Sequence, residues 1–460
     1  MENVSIKSFK IDNLFGYQNV DIKFETKHLV IIGENGLGKT TVLNCLYYTL
    51  EKKFKDLNNI KFDKIEISFS NRKKISFTKN DLDFYVKKSR RNQSSQFYQI
   101  LKKDLDNKNI KDLKEIIVSK KLSIQDKRLN VLSILREVGV RVNAPSGYIY
   151  ENILNFISES EAINFQKIVE IIDSTIKSKI LYFPTYRRIE SQLESLQKSI
   201  NTNNEFNDNP FLEEEDFKIE YDDIIQFGME DVKDKINNIT DEISQKSLIG
   251  FSKITGDLLS QLSNEFEGKS FKHKIEETKL KIILDRVSNS ITSDDKINII
   301  NYIKSGKKTN KGLLFFIDQL VELYNEQEEH DVAIKQFVST CNNYLNKKQF
   351  RYNESEVKIE IIREGTINTV VELDQLSSGE KQIVSLFSKV YLDLNKSFIV
   401  LFDEPELSLS IFWQERLLPD IINSKKCNFL FAVTHSPFIY QNNLQNNAIG
   451  LADCISDNLN

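Results

Sequence analysis

The segment Gly33-Glu34-Asn35-Gly36-Leu37-Gly38-Lys39-Thr40 constrains this chain more than any other. It follows the apolar run His28-Leu29-Val30-Ile31-Ile32 and opens Thr40–Glu51, where Val42, Leu43, Leu46 and Leu50 recur at helical spacing. Strand, glycine loop and helix in that order form a phosphate cradle. The glycines let backbone N–H groups wrap anionic oxygens, and the helix N-terminus adds its positive end. Lys39 is expected to reach the β- and γ-phosphates of a nucleotide, and the Thr40 hydroxyl to ligate Mg2+. Gly33, Asn35, Gly36, Gly38 and Thr41 complete the expected phosphate-binding set. The alternative is a chance Gly-rich turn, and the flanking strand and helix argue against it.

A second apolar strand, Phe398–Phe402, ends in Asp403-Glu404-Pro405. It would carry two carboxylates to the phosphate end of the sheet. Asp403 is expected to hold Mg2+, largely through water, and Glu404 to orient or deprotonate an attacking water. Taken alone, the pair also fits a strand that ends in an exposed acidic turn. Composition narrows the class. The 460 residues are 40% hydrophobic and 28% charged with a net charge of −4, so bulk charge gives no argument for nucleic acid. Neither a leader-like apolar run nor a stretch long enough to span a membrane is visible. Cys45, Cys341, Cys427 and Cys454 are scattered without a CxxC pair, as expected of reduced thiols in a cytoplasmic protein.

The pattern changes along the chain. Val4–Ile11 and Val20–Phe24 alternate like strands, and two short strands are expected at Ile65–Phe69 and Lys74–Phe77. Ser95–Arg136, Ser158–Ser178 and Ser191–Ile200 read as helical, around a strand at Ile180–Pro184. Asn201–Pro210 is a polar Asn/Asp-rich loop. Asp231–Leu262 and Leu313–Leu345 carry long helical patterns that suit an antiparallel pair. Strand character returns at Phe350–Ile362 and Thr369–Leu373. The expected organisation is a head made of 1–85 and 349–460, with a head-associated strand and turn at 179–195. A basic helical insertion at 86–178 and a helical insertion with an acidic loop at 196–348 interrupt it.

Three further motifs complete the pattern. Leu376-Ser377-Ser378-Gly379-Glu380 opens a helix over Lys381–Tyr391, Glu406-Leu407-Ser408-Leu409-Ser410 follows the acid pair, and Thr434-His435-Ser436-Pro437 follows the apolar run Phe429–Val433. Ser377 also reads as a plain N-cap, with Glu380 completing a capping box. Together with the glycine loop and acid pair, these motifs resemble the head of ABC-type ATPases in the RecF/SMC branch. That resemblance implies an α/β head with a mixed β-sheet and P-loop core, split by a long helical, coiled-coil-like insertion. It implies slow ATP hydrolysis with ATP and Mg2+, and contact of His435 with the γ-phosphate. It further implies that Ser377, Ser378 and Gly379 of a second subunit close on the γ-phosphate, so that the chain forms homo-oligomers through ATP-sandwiched heads. Two departures stand out: Ser410-Ile411 lies where many relatives carry a histidine and proline, and no Gln occupies an obvious Mg2+-sensing position. Arg187 and Arg188, after the Ile180–Pro184 strand, are open to a phosphate or to a structural role, and Phe15 to an adenine-facing or a core role.

Within that branch, Gly33–Thr41, Tyr182–Glu190, Leu376–Glu380, Asp403–Ser410 and Thr434–Pro437 are similar to the AAA-type ATPases of bacterial anti-phage defence, such as PtuA of Septu and AriA of PARIS. The similarity implies a partner effector nuclease, of Toprim type before HNH type, and a phage-encoded trigger. A RecF-like DNA repair ATPase, binding DNA between closed heads, is the alternative. Charge is segregated in the middle of the chain. Lys87–Arg128 carries thirteen Lys/Arg against five Asp/Glu, and Glu205–Asp231 carries eleven acids and one Lys. These runs fit solvated faces, but the basic one also fits nucleic acid or the acidic stretch of a neighbour. The Glu213–Asp216 run is a poor metal candidate.

Overall fold

A computed structural model describes residues 5–86, 101, 105, 107–119, 122–139, 144–185, 229–263, 276–287, 291–307, 309–365, 369–394 and 397–457. The Asn/Asp-rich loop, Arg187 and Arg188, the Ser191–Ile200 helix, the Glu213–Asp216 run and much of the basic stretch lie outside the described residues. Thirteen strands occur among those described: β1 Ile6–Leu14, β2 Gln18–Lys23, β3 His28–Ile32, β4 Lys64–Phe69, β5 Lys74–Thr78, β6 Lys179–Phe183, β7 Lys348–Asn353, β8 Lys358–Arg363, β9 Thr369–Val371, β10 Phe398–Asp403, β11 Cys427–Thr434, β12 Ala448–Gly450 and β13 Ile455–Asp457. The fold class is α/β, with a parallel sheet around a P-loop helix and long helices inserted in the chain. By internal packing the chain divides into two compact units.

The first unit comprises Met1–Thr185, Phe398–Pro405 and Cys427–Asn460. It holds two sheets. One is antiparallel, in the order β13-β2-β1-β4-β5; the other is parallel, in the order β12-β3-β11-β10-β6. β10 is buried at every residue because it lies between β11 and β6, which explains its unbroken apolar run. β1 and β4 instead alternate buried with more exposed residues, as half-buried strands do. The helix Lys39–Leu50 packs among Phe9, Ile31, Leu401 and Phe431 in one core. A separate apolar cluster joins the helices Asn107–Val118, Ile124–Glu137 and Ser146–Thr175 through Leu113, Val131, Leu135 and Ile153. In the described part of the basic stretch, Lys114 pairs with Asp81 at 2.5 Å and Lys127 donates to the Ile117 carbonyl at 2.7 Å, so these two cations serve local structure.

The second unit comprises Tyr186–Ser397 and Glu406–Lys426. The helices Met229–Ser263 and Lys311–Asn342 run antiparallel. Glu242 meets His330 at 3.3 Å and Ser247 meets Gln327 at 3.1 Å, so numbering rises on one helix as it falls on the other. Gly250 allows close approach, since a Cβ there would overlap Leu323. The strands β7, β8 and β9 form a small antiparallel sheet, and the helices Ser378–Tyr391 and Ile411–Asn423 belong to the same unit. All four cysteines are free, and no helix among the described residues is long and apolar enough to cross a membrane.

One buried contact couples β6 to the P-loop helix: the Tyr182 hydroxyl donates to Asn44 Oδ1 at 2.7 Å, and its ring stacks on Tyr47 at 4.2 Å. Tyr182→Phe leaves the Asn44 oxygen buried without that donor, at a cost of about 1–2 kcal/mol. A lower urea midpoint with an unchanged slope is the expected result; an unchanged midpoint refutes the assignment.

Candidate functional site

Parallel pairing decides which residues meet. β3 leads into the glycine loop, β10 ends at Asp403, and β11, lying between them, ends at Thr434. Register sets Val433 beside Asp403 and Thr434 beside Ile32. Three strands therefore deliver their C-terminal residues to one sheet edge, where open α/β sheets bind ligands. His435, one residue past β11, falls between Lys39 and Glu404. Its Nε2 accepts from Lys39 Nζ at 2.7 Å and lies 3.6 Å from Glu404 Oε1.

The loop is built from backbone conformation. Gly36 has φ 90° and Gly38 has φ 85°, values that residues bearing a Cβ rarely adopt. Gly38 is also the N-cap of the helix Lys39–Leu50, and a Cβ there would lie 2.9 Å from the Phe15 ring. Conformation and space both require glycine. Asn35 and Gly36 are exposed, whereas Lys39 is buried. Lys39 Nζ donates to the Gly33 carbonyl at 2.8 Å and the Glu34 carbonyl at 2.9 Å, lacing the loop to its own helix.

The two acids differ in their surroundings. Asp403 is 1% exposed and its Oδ1 accepts from the Thr40 hydroxyl at 2.9 Å. A hydroxyl and a carboxylate in contact are a donor pair suited to a hard divalent cation, so Thr40 and Asp403 fit Mg2+. Glu404 is half-buried and sits at φ 50°, a left-handed conformation costing a non-glycine residue about 1–2 kcal/mol. Its own N–H donates to the Val433 carbonyl at 2.9 Å and holds it there.

Phe15, open in the sequence to an adenine-facing or a core role, is joined by supporting residues that sequence reasoning missed. Phe15 is partly buried against the Gly38 loop and stacks with Tyr17 at 6.0 Å, so it braces the loop. Gln18 is 4% exposed, and its Nε2 lies 3.5 Å from where a Gly38 Cβ would stand, with no acceptor among the described residues. Asn44 and Tyr182 form the contact described above. Gln18 and the Asn44–Tyr182 contact had no local signal, because each partner comes from a distant strand or turn.

In the second unit, the N-cap reading of Ser377 is correct. The Ser377 hydroxyl accepts from the Glu380 N–H at 3.4 Å, and the Glu380 carboxylate accepts from the Ser377 N–H at 2.7 Å. Lys348, on β7, also donates to that carboxylate at 2.8 Å. Burial opposes ionisation of Glu380, but the Lys348 and Ser377 hydrogen bonds outweigh it and hold the carboxyl below its usual range. Gly379 is required by packing: a Cβ there would lie 2.9 Å from the Ser408 carbonyl oxygen and 3.1 Å from the Trp413 ring. Ser377 and Ser378 remain exposed at the helix start. The structure thus brings together Gly33, Lys39, Thr40, Asp403, Glu404 and His435 in one unit, while Ser377, Ser378 and Gly379 belong to the other.

A parallel sheet, a glycine loop with its lysine, and an acid pair at the same edge define a P-loop nucleotide-binding protein. The chain belongs to the AAA domain family AAA_23, which matches residues 8–247, just over half of its length. A comparison with curated proteins gives no match. Among solved structures, the chain is similar to the Smc head domain of Pyrococcus furiosus with an extended coiled coil, bound to the C-terminal domain of ScpA (13% identity, 97% of this chain and 93% of that one, TM-score 0.36). It is also similar to an Smc head bound to the C-winged helix domain of ScpA (11%, 97% and 93%, 0.32) and to the Pyrococcus yayanosii Smc head with a coiled coil and joint (13%, 97% and 95%, 0.31).

Gly379→Ala tests the packing around the second-unit helix. The added methyl meets backbone, so the Ser408 loop must shift, at a cost of about 1–3 kcal/mol. Thermal unfolding should begin several degrees lower than in wild type; an unchanged melt contradicts the close approach.

Proposed function

We propose that this chain is an ATPase of the ABC type, in the RecF/SMC-like branch, which hydrolyses ATP between two copies of itself. The observation that carries this reading is the chain of contacts Lys39–His435–Glu404 beside Thr40–Asp403. That grouping supports giving each residue one part of phosphoryl transfer. Lys39 has three donors, directed at the Gly33 carbonyl, the Glu34 carbonyl and His435. A γ-phosphate oxygen replaces His435 as acceptor, and the released imidazole then donates to the same phosphate. Thr40 and Asp403 would hold Mg2+, which would supply neutralisation of phosphate charge. Glu404 accepts a proton from the attacking water as the γ-phosphorus forms its new bond to oxygen. The bond to the β-phosphate oxygen breaks, and ADP and phosphate leave. The exposed Ser377 and Ser378 hydroxyls, with the N–H groups of that first helical turn, supply the second subunit's contact with the γ-phosphate.

Two substitutions separate binding from chemistry. Lys39→Ala should weaken binding of a fluorescent ATP analogue about 100-fold, because a charged hydrogen-bond donor to phosphate is lost. Glu404→Gln should bind as wild type while hydrolysis falls about 10²–10³-fold. Wild-type binding by the first variant, or wild-type turnover by the second, rejects the assignment. Shared sites have their own test: Ser377→Arg and Lys39→Ala subunits, each inactive alone, should recover part of the activity when mixed. No recovery in confirmed mixed oligomers means each copy hydrolyses ATP unaided.

The biological setting follows from the motif resemblance. We infer a bacterial anti-phage role in which ATP-closed oligomers control an effector nuclease. Mass photometry of Glu404→Gln co-expressed with the neighbouring gene tests it. Discrete ATP-dependent species containing that gene's product support the defence reading, and a plain dimer that shifts only on adding DNA supports a repair ATPase.

A further inference from the structure

Ser410-Ile411, where the chain departs from many relatives, opens the helix Ile411–Asn423 in the second unit. Acids and proline favour a helix start, yet this first turn holds no acid and begins Ile411-Phe412. Both side chains have lower helix propensity than Ala or Leu. Ile411 is 48% exposed and Phe412 77% exposed. The next residue, Trp413, turns inward: its ring lies 5.9 Å from that of Tyr344 and 3.1 Å from where a Gly379 Cβ would stand. Packing within the unit accounts for Trp413 but not for the two apolar residues before it.

Their place in the unit is set by Gly379. The Ser408 carbonyl oxygen and the Trp413 ring both lie against it, so the start of this helix stands beside the start of the helix Ser378–Tyr391. The exposed residues at the two starts are uncharged: Ser377, Ser378, Ser408 and Ser410, with Ile411 and Phe412. Charge returns at exposed Asp374, before the serines, and at exposed Glu415 and Arg416, one turn further along the second helix. An uncharged centre with an aromatic anchor and a charged margin has the composition of a protein–protein interface.

The serines decide what covers it. In the function proposed above, Ser377 and Ser378 meet the γ-phosphate held by a second copy, so the side chains beside them are covered by that same copy. Two serines and the N–H groups of one turn bury little area. A stable interface buries roughly 1,200–2,000 Å² and takes most of its affinity from a few well-buried anchors. Two-fold pairing uses each anchor twice.

We propose that Phe412, with Ile411, is the apolar anchor on which a second copy of this chain seats when ATP closes the shared site. This role rests on the shared-site reading and adds the residues that hold the copies together. The serines place the phosphate contacts, and the apolar pair supplies affinity that polar contacts alone do not.

The test uses the full chain carrying Glu404→Gln, expected to hold ATP unhydrolysed, in sedimentation velocity with Mg-ATP over a range of protein concentrations. Adding Phe412→Ser should weaken ATP-dependent pairing about 10–100-fold. Binding of a fluorescent ATP analogue and the melting temperature should not change, because the ring is mostly in water in the single copy. Phe412→Leu should retain most of the pairing. Val370→Ser, at a 61% exposed position on β9 of the same unit, should change nothing. If Phe412→Ser fails to fold, Ile411→Ser decides, with a smaller loss expected. The proposal is overturned if Phe412→Ser pairs like its parent or loses no more than Val370→Ser, including the case where it loses a different protein instead. If Glu404→Gln itself never pairs with ATP, the shared-site reading has failed and this role falls with it.

Discussion

The Lys39 ammonium ties the nucleotide end of the first unit together. Its three hydrogen-bond directions reach the Gly33 carbonyl, the Glu34 carbonyl and His435, joining the loop after β3 to the residue after β11. A buried ammonium is tolerated only when its donors are satisfied, and here loop carbonyls and an imidazole satisfy them. In the function proposed above, a phosphate oxygen would replace the imidazole as one of the lysine's acceptors. His435 and Glu404 lie next along the same edge, and Thr40 and Asp403 are in contact beside them. The register of a parallel sheet thus decides which side chains meet at this edge.

The second unit shows a different use of the same chemistry. The helix Ser378–Tyr391 begins with a reciprocal capping box that Lys348 reinforces from β7. Gly379 lies so close to Ser408 and Trp413 that a single added carbon would displace backbone. The exposed serines at this helix start therefore rest on a rigid support.

The antiparallel helices of the insertion carry a polar layer where an apolar seam would be simpler. Arg286 and Asp331, with side chains 6% and 1% exposed, form a buried ion pair joined by Tyr352 and Gln327. Such a pair gains little stability over apolar packing, because both charges lose their water. Its consequence here is geometric: the guanidinium holds the Gln327 amide with its oxygen toward Arg286.

Much of the fold was legible in the sequence. The glycine loop, the apolar run before Asp403-Glu404 and the strand near Leu181 each carry a local pattern whose cause is local: backbone freedom, burial on both faces, or a turn chemistry. The long helices of the insertion were legible for the same reason, since helical periodicity repeats within one segment. The strands of the head divide between an antiparallel sheet and a parallel one, a division that strand alternation does not state because it does not say which strand is a neighbour. Tertiary structure alone decided that β11 lies between β3 and β10, and so that His435 contacts Lys39 across 396 positions of chain. It alone set Tyr182 on Asn44, Phe15 under Gly38, Lys348 on Glu380 and Gln327 on Arg286. Sequence fixes what each residue can do within its own few neighbours; which distant groups share a hydrogen bond follows only from sheet order and helix register.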